Sequence, residues 1–300
     1  MNNYIAIKPI KELIKKNNPD SLALCLVKYV DPRKNNGFNA KEYYFNHLKT
    51  IKLNLKRIDT WWNFIHSIPK NRIFYFQLQS QKLLINTAAV ITGKFGVCID
   101  YYGIPYIPGS AVKGCARSVA IKELRNASEA NKAELLSTIA LVFGWSEADW
   151  TKNETLSDFY WGCNKNDEIL SDAASLIMEK IIGKHNKQLI QEIPNFAGTV
   201  SFLDAYPIPL KFYPSNYNTY NSYHHRDFPQ YPHPVTRNHI FSFCLIPSPK
   251  RILVDALTKS IGWLKKGLED HAIGAKKKNG YGKFIDCTEK VKRMINKTTR

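Results

Sequence analysis

Between His271 and Phe284 the chain concentrates three glycines and four lysines in His271-Ala-Ile-Gly-Ala-Lys-Lys-Lys-Asn-Gly-Tyr-Gly-Lys-Phe284. An amphipathic run precedes this stretch and Phe284-Ile285-Asp286-Cys287 follows it, so the local order reads helix, glycine-rich basic loop, strand. Gly274 is suited to the left-handed conformation that ends a helix. Asn279-Gly280 reads as a turn pair, because both residues tolerate positive φ. The loop is expected to turn its backbone N–H groups outward. The ammonium groups of Lys276, Lys277, Lys278 and Lys283 would surround them, with Tyr281 and Gly282 closing the turn, an arrangement that suits a phosphate chain. It is not a nucleotide-binding P-loop. Five residues separate Gly274 from Gly280, Tyr281 follows, and the P-loop order of strand, loop, helix is reversed. The plain alternative is a solvated basic turn.

Charge supports a polyanionic partner. The net charge is +18, and residues 1–100 carry 16 Lys/Arg against 6 Asp/Glu, residues 101–249 carry 13 against 14, and residues 250–300 carry 14 against 5. Two basic ends around a neutral middle are expected to meet as one basic surface. Nucleic acid is favoured over a membrane surface, since no basic amphipathic helix carries an aromatic or leucine face beside it. No apolar run approaches the ~20 residues of a membrane span, and Met1-Asn-Asn-Tyr4 lacks the apolar core of a signal peptide. The cysteines Cys25, Cys98, Cys115, Cys163, Cys244 and Cys287 are scattered without a CxxC pair. That pattern predicts reduced thiols, a cytoplasmic setting and no zinc site.

Short apolar runs at 9–16 and 20–30 open the chain. Tyr44, Leu48, Ile51, Leu55, Ile58, Trp62 and Ile65 then recur at helical spacing up to Pro69. Residues 1–72 therefore read as a helical N-terminal region, with Trp61 and Trp62 as packing residues. Ile73–Gln79 alternates as a strand, and Leu83–Tyr102 reads as a hairpin turning at Thr92-Gly93-Lys94. Pro108-Gly109 ends an extended segment and Ser110 is the expected N-cap of a helix whose buried face is Val112, Cys115, Ala116, Val119, Ala120 and Leu124.

That helix contains two choices that stability alone would not make. Lys113 and Arg117 lie one turn apart near the positive helix end, where cations lose about 0.3–1 kcal/mol. Gly114 costs about 1 kcal/mol relative to alanine. A phosphate at the helix N-terminus would account for both, and surface cations with a tight packing glycine are the alternative.

Further on, Asn131–Phe143 is a predicted helix ended by Gly144, 146–172 an acidic, turn-rich surface insertion, and Ala173–Ile182 a helix. Gly198–Tyr206 and His239–Ile246 are predicted strands, and 252–270 a helix. Residues 206–236 have no period and are rich in proline and tyrosine, whose rings could stack on unpaired bases. His224, His225, His233 and His239 lack metal-ligand spacing, so no metal and no cofactor is expected.

From residue 73 the order is strand, helix, strand, strand, helix, strand. That is an α+β class, with a ferredoxin-like (RRM-like) β-α-β-β-α-β core over 73–287, insertions near 126–197 and 206–236, and a basic tail at 288–300. Two helices on one face of such a sheet would leave its other face open to RNA. Gly280-Tyr-Gly-Lys-Phe-Ile285 comes near the RRM fingerprint but follows a helix and carries an extra lysine.

Several segments also resemble a known family. Tyr102-Gly-Ile-Pro-Tyr-Ile-Pro-Gly-Ser-Ala-Val-Lys-Gly-Cys-Ala-Arg117, Val142-Phe143-Gly144, Phe202-Leu-Asp-Ala-Tyr-Pro207 and Ile273–Phe284 are similar to motifs of RAMP proteins, the RNA-binding subunits of CRISPR effectors. In combination they resemble the sixth-subunit family of the Cmr, type III-B, assembly. Lys277 and Lys278 stand where that family usually has small or hydroxyl residues. The resemblance implies a subunit that binds crRNA near its 3′ end, together with target RNA, beside other RAMP subunits of a Cmr complex. It implies no catalytic residues, because target cleavage in that family belongs to another subunit. Ser110, Lys113, Gly114 and Arg117, with the loop residues Gly274 to Lys283, are the expected RNA contacts. The competing expectation is a guide-processing ribonuclease, in which His224, His225 or His271 acts as a base beside Lys276.

Overall fold

A computed structural model of the chain describes residues 55–80, 83–85, 98–100, 104–150, 158–182, 193, 195–209, 212, 239–248 and 254–298. The expected elements at 9–16 and 20–30, the start of the 40–68 helix, the turn at Thr92–Lys94, His224, His225, His233 and nearly all of the 206–236 loop lie outside them.

The centre is an antiparallel sheet built on β1 (Ile73–Leu78). β1 lies between β8 (Ile240–Pro247) and β9 (Phe284–Asp286), with Phe74 opposite Phe243 and Phe76 opposite Phe241 on one side and Phe76 opposite Asp286 on the other. β6 (Val200–Phe202) pairs with the far side of β8, giving the order β6-β8-β1-β9, and β7 (Tyr206–Pro207) also pairs with β8. Two short ribbons complete the strands: β2 (Cys98–Ile99) with β3 (Pro105–Tyr106), and β4 (Gly144–Trp145) with β5 (Phe196–Ala197). β2 falls within the stretch 83–102 expected to form a hairpin, most of which, its turn included, lies outside the described residues.

Side chains alternate across a strand, so β1 must bury both its rows if both faces of the sheet are covered. They are. Phe74, Phe76 and Leu78 join Phe241, Phe243 and Phe284 in the main core, and Phe76, Phe243 and Phe284 meet edge to face at 5.7 and 5.9 Å. Above them lie α2 (Gly109–Asn126) and α7 (Val254–Lys266), backed by α3 (Glu129–Phe143) and α6 (Asp167–Ile182). On the opposite face, Ile73, Tyr75, Ile240 and Cys244 are covered by Trp62 and Ile65 of α1 (Leu55–His66) and by Val291 of α8 (Thr288–Thr298).

This corrects two expectations. Described elements cover both faces of the sheet, where one face was expected to be open to RNA. Residues 288–298 are not a tail but an amphipathic helix, in which Val291, Met294 and Ile295 reach the sheet while Lys290, Arg293 and Lys297 stay outside. In the sequence this apolar stripe is masked by the cations that outnumber it.

The 126–197 insertion adds helices to the main core. α3 ends at Gly144, whose φ of +104° suits only glycine. Two short helices, α4 (Glu147–Trp150) and α5 (Asp158–Gly162), lie in the stretch expected to be a surface insertion, yet Phe159 there and Trp145 just before it are buried. Lys132 is itself buried, its ammonium donating to the carbonyls of Leu124 (3.0 Å), Arg125 (3.3 Å) and Gly162 (2.8 Å). One side chain thereby ties the end of α2 to α3 and α5. No helix among the described residues is long and apolar enough to cross a membrane.

Candidate nucleic-acid interface

α2 starts two residues earlier than expected. Pro108, not Ser110, is the N-cap, and its carbonyl accepts the N–H groups of Ala111 (2.8 Å) and Val112 (3.0 Å). Gly109 is required because a Cβ there would collide with the carbonyl of Phe202 on β6. Its N–H donates to Asp204 Oδ1 at 2.6 Å, so a carboxylate of this chain already occupies part of the helix's positive end. From sequence, Asp204 reads as a strand residue. Its pairing with Gly109 joins two motifs far apart in the chain, which no local pattern announces.

The four residues expected on α2 separate into two groups. Ser110 and Gly114 are exposed one turn apart, and a Cβ on Gly114 would meet nothing within 4 Å. Close packing therefore does not explain this glycine. Lys113 is half-buried beside them, and burial lowers its pKa, with Arg117 adding to the effect and Asp149 opposing it. Arg117 points elsewhere. Its guanidinium donates to Asp149 on α4 and Asp158 on α5 and lies 5.3 Å over the Phe159 ring. It anchors the insertion, and its charge is already compensated.

The loop from Gly274 to Lys283 is ordered, but not in the expected way. After α7 the chain makes a π turn (Gly267–His271) that ends at Ala272 with φ 59°, so Ala272 and not Gly274 makes the first left-handed step. Gly274 (φ +90°) and Gly282 (φ +72°) sit where a Cβ would strike the carbonyls of Leu84 and Ile273. Ala275 N–H donates to Leu84 O at 2.6 Å, Ile273 N–H to Gly282 O at 2.8 Å, and Gly282 N–H to Ser80 Oγ at 2.9 Å. At the tip Lys276 is left-handed, Lys277–Asn279 form one 3-10 turn, and Gly280 (φ +79°) closes it. The N–H groups of Asn279 and Gly280 bond back to the carbonyls of Lys276 and Lys277, each at 2.9 Å. These N–H groups point inward, against the expectation of an outward cradle. What the loop presents is Lys276, Lys277, Lys278, Asn279 and Lys283, all exposed, with Tyr281 half-buried at the base.

The two regions are brought together through Cys115, the residue after Gly114. Its thiol donates to Ala272 O at 3.9 Å, and Gly267 lacks a Cβ where the sulfur approaches. Burial pushes the thiol up to about 11, while Lys277 pulls the other way. His271 lies between them. Burial first, then Lys122 on α2, lowers its pKa, Lys266 and Lys277 add to the effect, and Asp270 opposes it. Lys122 and Lys266, both exposed, thus extend the basic patch, and sequence reasoning misses them because neither lies in a glycine-bearing motif. The adjoining groove between α2, α3 and α7 does not extend it, since Glu123, Glu134, Asp255 and Asp270 outnumber its lysines.

No curated protein matches this sequence. Among solved structures, Cmr6 from Pyrococcus furiosus is similar over 71% of this chain and 97% of its own, at 19% identity and a TM-score of 0.37. A chain of a Type III-B Cmr-beta bound to cognate target RNA is similar over 92% of this chain and 94% of its own, at 16% identity and a TM-score of 0.38. The family model of the RAMP superfamily matches residues 90–285, which include α2, the glycine-rich loop and all of the sheet but β1 and the last residue of β9. The chain therefore belongs to the RAMP superfamily.

Proposed function

We propose that this chain is a non-catalytic, RNA-binding backbone subunit of a type III-B CRISPR effector, holding crRNA toward its 3′ end and the guide–target duplex beside other RAMP subunits. The observation that carries the reading is the exposed basic surface of a RAMP protein. Lys276, Lys277, Lys278 and Lys283 stand on a glycine-shaped loop that Cys115 joins to the helix bearing Lys113, Gly114 and Lys122. The order β9-β1-β8-β6, with α2 and α7 on one face, supports reading the core as ferredoxin-like. Because α1 and α8 cover the other face, RNA would run over the helix and loop surface and not across the strands. The non-catalytic part of the reading is supported by His271, whose Nε2 is enclosed within the fold without a partner among the described residues and so is not presented as a base to a bound strand.

Titration with labelled guide RNA at several salt concentrations tests the reading. Affinity should fall steeply with salt, with a log–log slope of about 0.7 per phosphate neutralised on a single strand. An affinity that does not change with salt would overturn the charge-led reading. Discrete cleavage of repeat RNA, abolished by a histidine substitution, would replace the scaffold with the ribonuclease.

A further inference from the structure

Four aromatic rings form a row where α1 meets β3 and β7. The centroids of Phe64 and Trp61 are 5.3 Å apart, those of Trp61 and Tyr206 5.0 Å, and those of Tyr206 and Tyr106 5.4 Å with the last two planes 14° from parallel. Phe64 is 48% exposed, and the other three rings are half-buried. Ile107 and Ala205 lock β3 and β7 together by exchanging both backbone hydrogen bonds, at 2.9 and 2.8 Å. Trp62, the neighbour of Trp61, is buried under the sheet, so the tandem pair divides between core and surface.

Among the described residues, the charged groups that act on this row are carboxylates. Desolvation first, then the carboxylates of Asp100 and Asp204, raise the pKa of the Tyr206 hydroxyl, which also hydrogen-bonds Asp100. Desolvation, Cys98 and the same two carboxylates raise Tyr106. Asp204 further raises the Cys98 thiol, after burial. On a chain of net charge +18, this is a local reversal of sign.

We propose that the Phe64–Trp61–Tyr206–Tyr106 row is a docking site for an arginine side chain presented by a neighbouring protein subunit. Aromatic faces attract cations, and a guanidinium can stack on a ring while its N–H groups bond a carboxylate. Here rings and carboxylates adjoin. Unpaired bases would also stack on such rings, but each nucleotide brings a phosphate toward Asp100 and Asp204, which repel it. An arginine on a neighbouring subunit would carry the complementary charge. The inference rests on the reading of this chain as one subunit among several.

The test uses the full chain labelled with fluorotryptophan, the Trp61 resonance being assigned by its loss in Trp61→Phe. N-acetylarginine amide should shift that resonance saturably, and the neutral isostere N-acetylcitrulline amide should not. Asp100→Asn with Asp204→Asn keeps the acceptors for Ile104 N–H and Gly109 N–H and should weaken the arginine response about fivefold or more. The other tryptophan resonances report whether this variant is folded. Its RNA affinity should not fall, because no cation is lost. An absent arginine response, or an equal one to citrulline, overturns the proposal. A stronger response to adenosine monophosphate than to arginine makes the row a base-stacking platform instead. Failure of RNA binding by the unsubstituted chain would count against the proposed function and leave the arginine titration to be judged by itself.

Discussion

Lys113 and Arg117 lie one turn apart on α2, yet their surroundings assign them different tasks. Arg117 holds Asp149 and Asp158 over Phe159, so Arg117→Met should lower stability by about 1–2 kcal/mol, read as a lower melting temperature, and leave the salt dependence of RNA binding unchanged. The opposite pattern is expected of Lys276→Ala with Lys277→Ala and Lys278→Ala. These side chains are exposed, so the melting temperature should hardly move, while RNA binding weakens and its slope flattens by about 0.7 for each phosphate no longer neutralised. Gly280→Val keeps every lysine but forces valine to φ near +79°, at a cost of about 1–2 kcal/mol or more. Because the Gly280 N–H points inward, this change should weaken RNA binding less than the lysine triple does, and equal losses would mean that the ordered backbone matters as much as charge. His271 carries a pH prediction. Its pKa is lowered in the folded state, so the unfolded chain takes up the proton first as the pH falls. Stability is therefore full above the ordinary imidazole value of about 6.5 and declines below it. Melting temperatures measured between about pH 7.5 and 5.5 should fall more steeply for the unsubstituted protein than for His271→Gln. Lys122, Lys266, Lys277 and Asp270 remain in both proteins.

Among the elements, α8 decides whether the sheet is closed. Val291 is fully buried against a face that holds Ile73, Tyr75, Ile240 and Cys244, so Val291→Asp should cost about 3 kcal/mol or more. Converting the exposed Lys290, Arg293 and Lys297 to glutamine should instead leave the melting temperature nearly unchanged, as measured by thermal unfolding. The helix is hidden in the sequence for a definite reason. Three apolar residues among the five cations of 288–300 read as solvated charge, and only the sheet beneath them shows where the stripe goes. β1, α2, α3 and α7 were legible because each carries a sustained period of its own. β6 was legible as one strand through Tyr206 but divides in two, since Asp204 leaves the ladder to meet Gly109. The glycine loop was recognisable from composition. The N–H groups of Ala275 and Gly282 at its base are taken up by Leu84 and Ser80, distant residues that no local window contains.

For the molecule as a whole, the basic surface and the aromatic row adjoin opposite ends of one connection. Lys113 and Gly114 lie just inside α2, and Asp204 faces both Gly109 and the tyrosines. If both proposals hold, RNA and a neighbouring subunit would meet the chain along one helix. The sheet order has a further consequence, for the timing of synthesis. β1 emerges early from the ribosome, but both strands that flank it, β8 and β9, come from the last third of the chain, and the helix that seals its second face comes after them. Until then Ile73-Phe-Tyr-Phe76 is an apolar strand with α1 behind it but neither of its pairing strands beside it, the kind of segment that invites wrong pairing in a nascent chain. Emergence of β9 and α8 from the ribosome, not the completion of any early helix, should therefore be the moment at which this fold closes. A stalled chain ending before Phe284 should remain open to protease at β1, while one in which a C-terminal linker carries Thr298 clear of the exit tunnel should be protected.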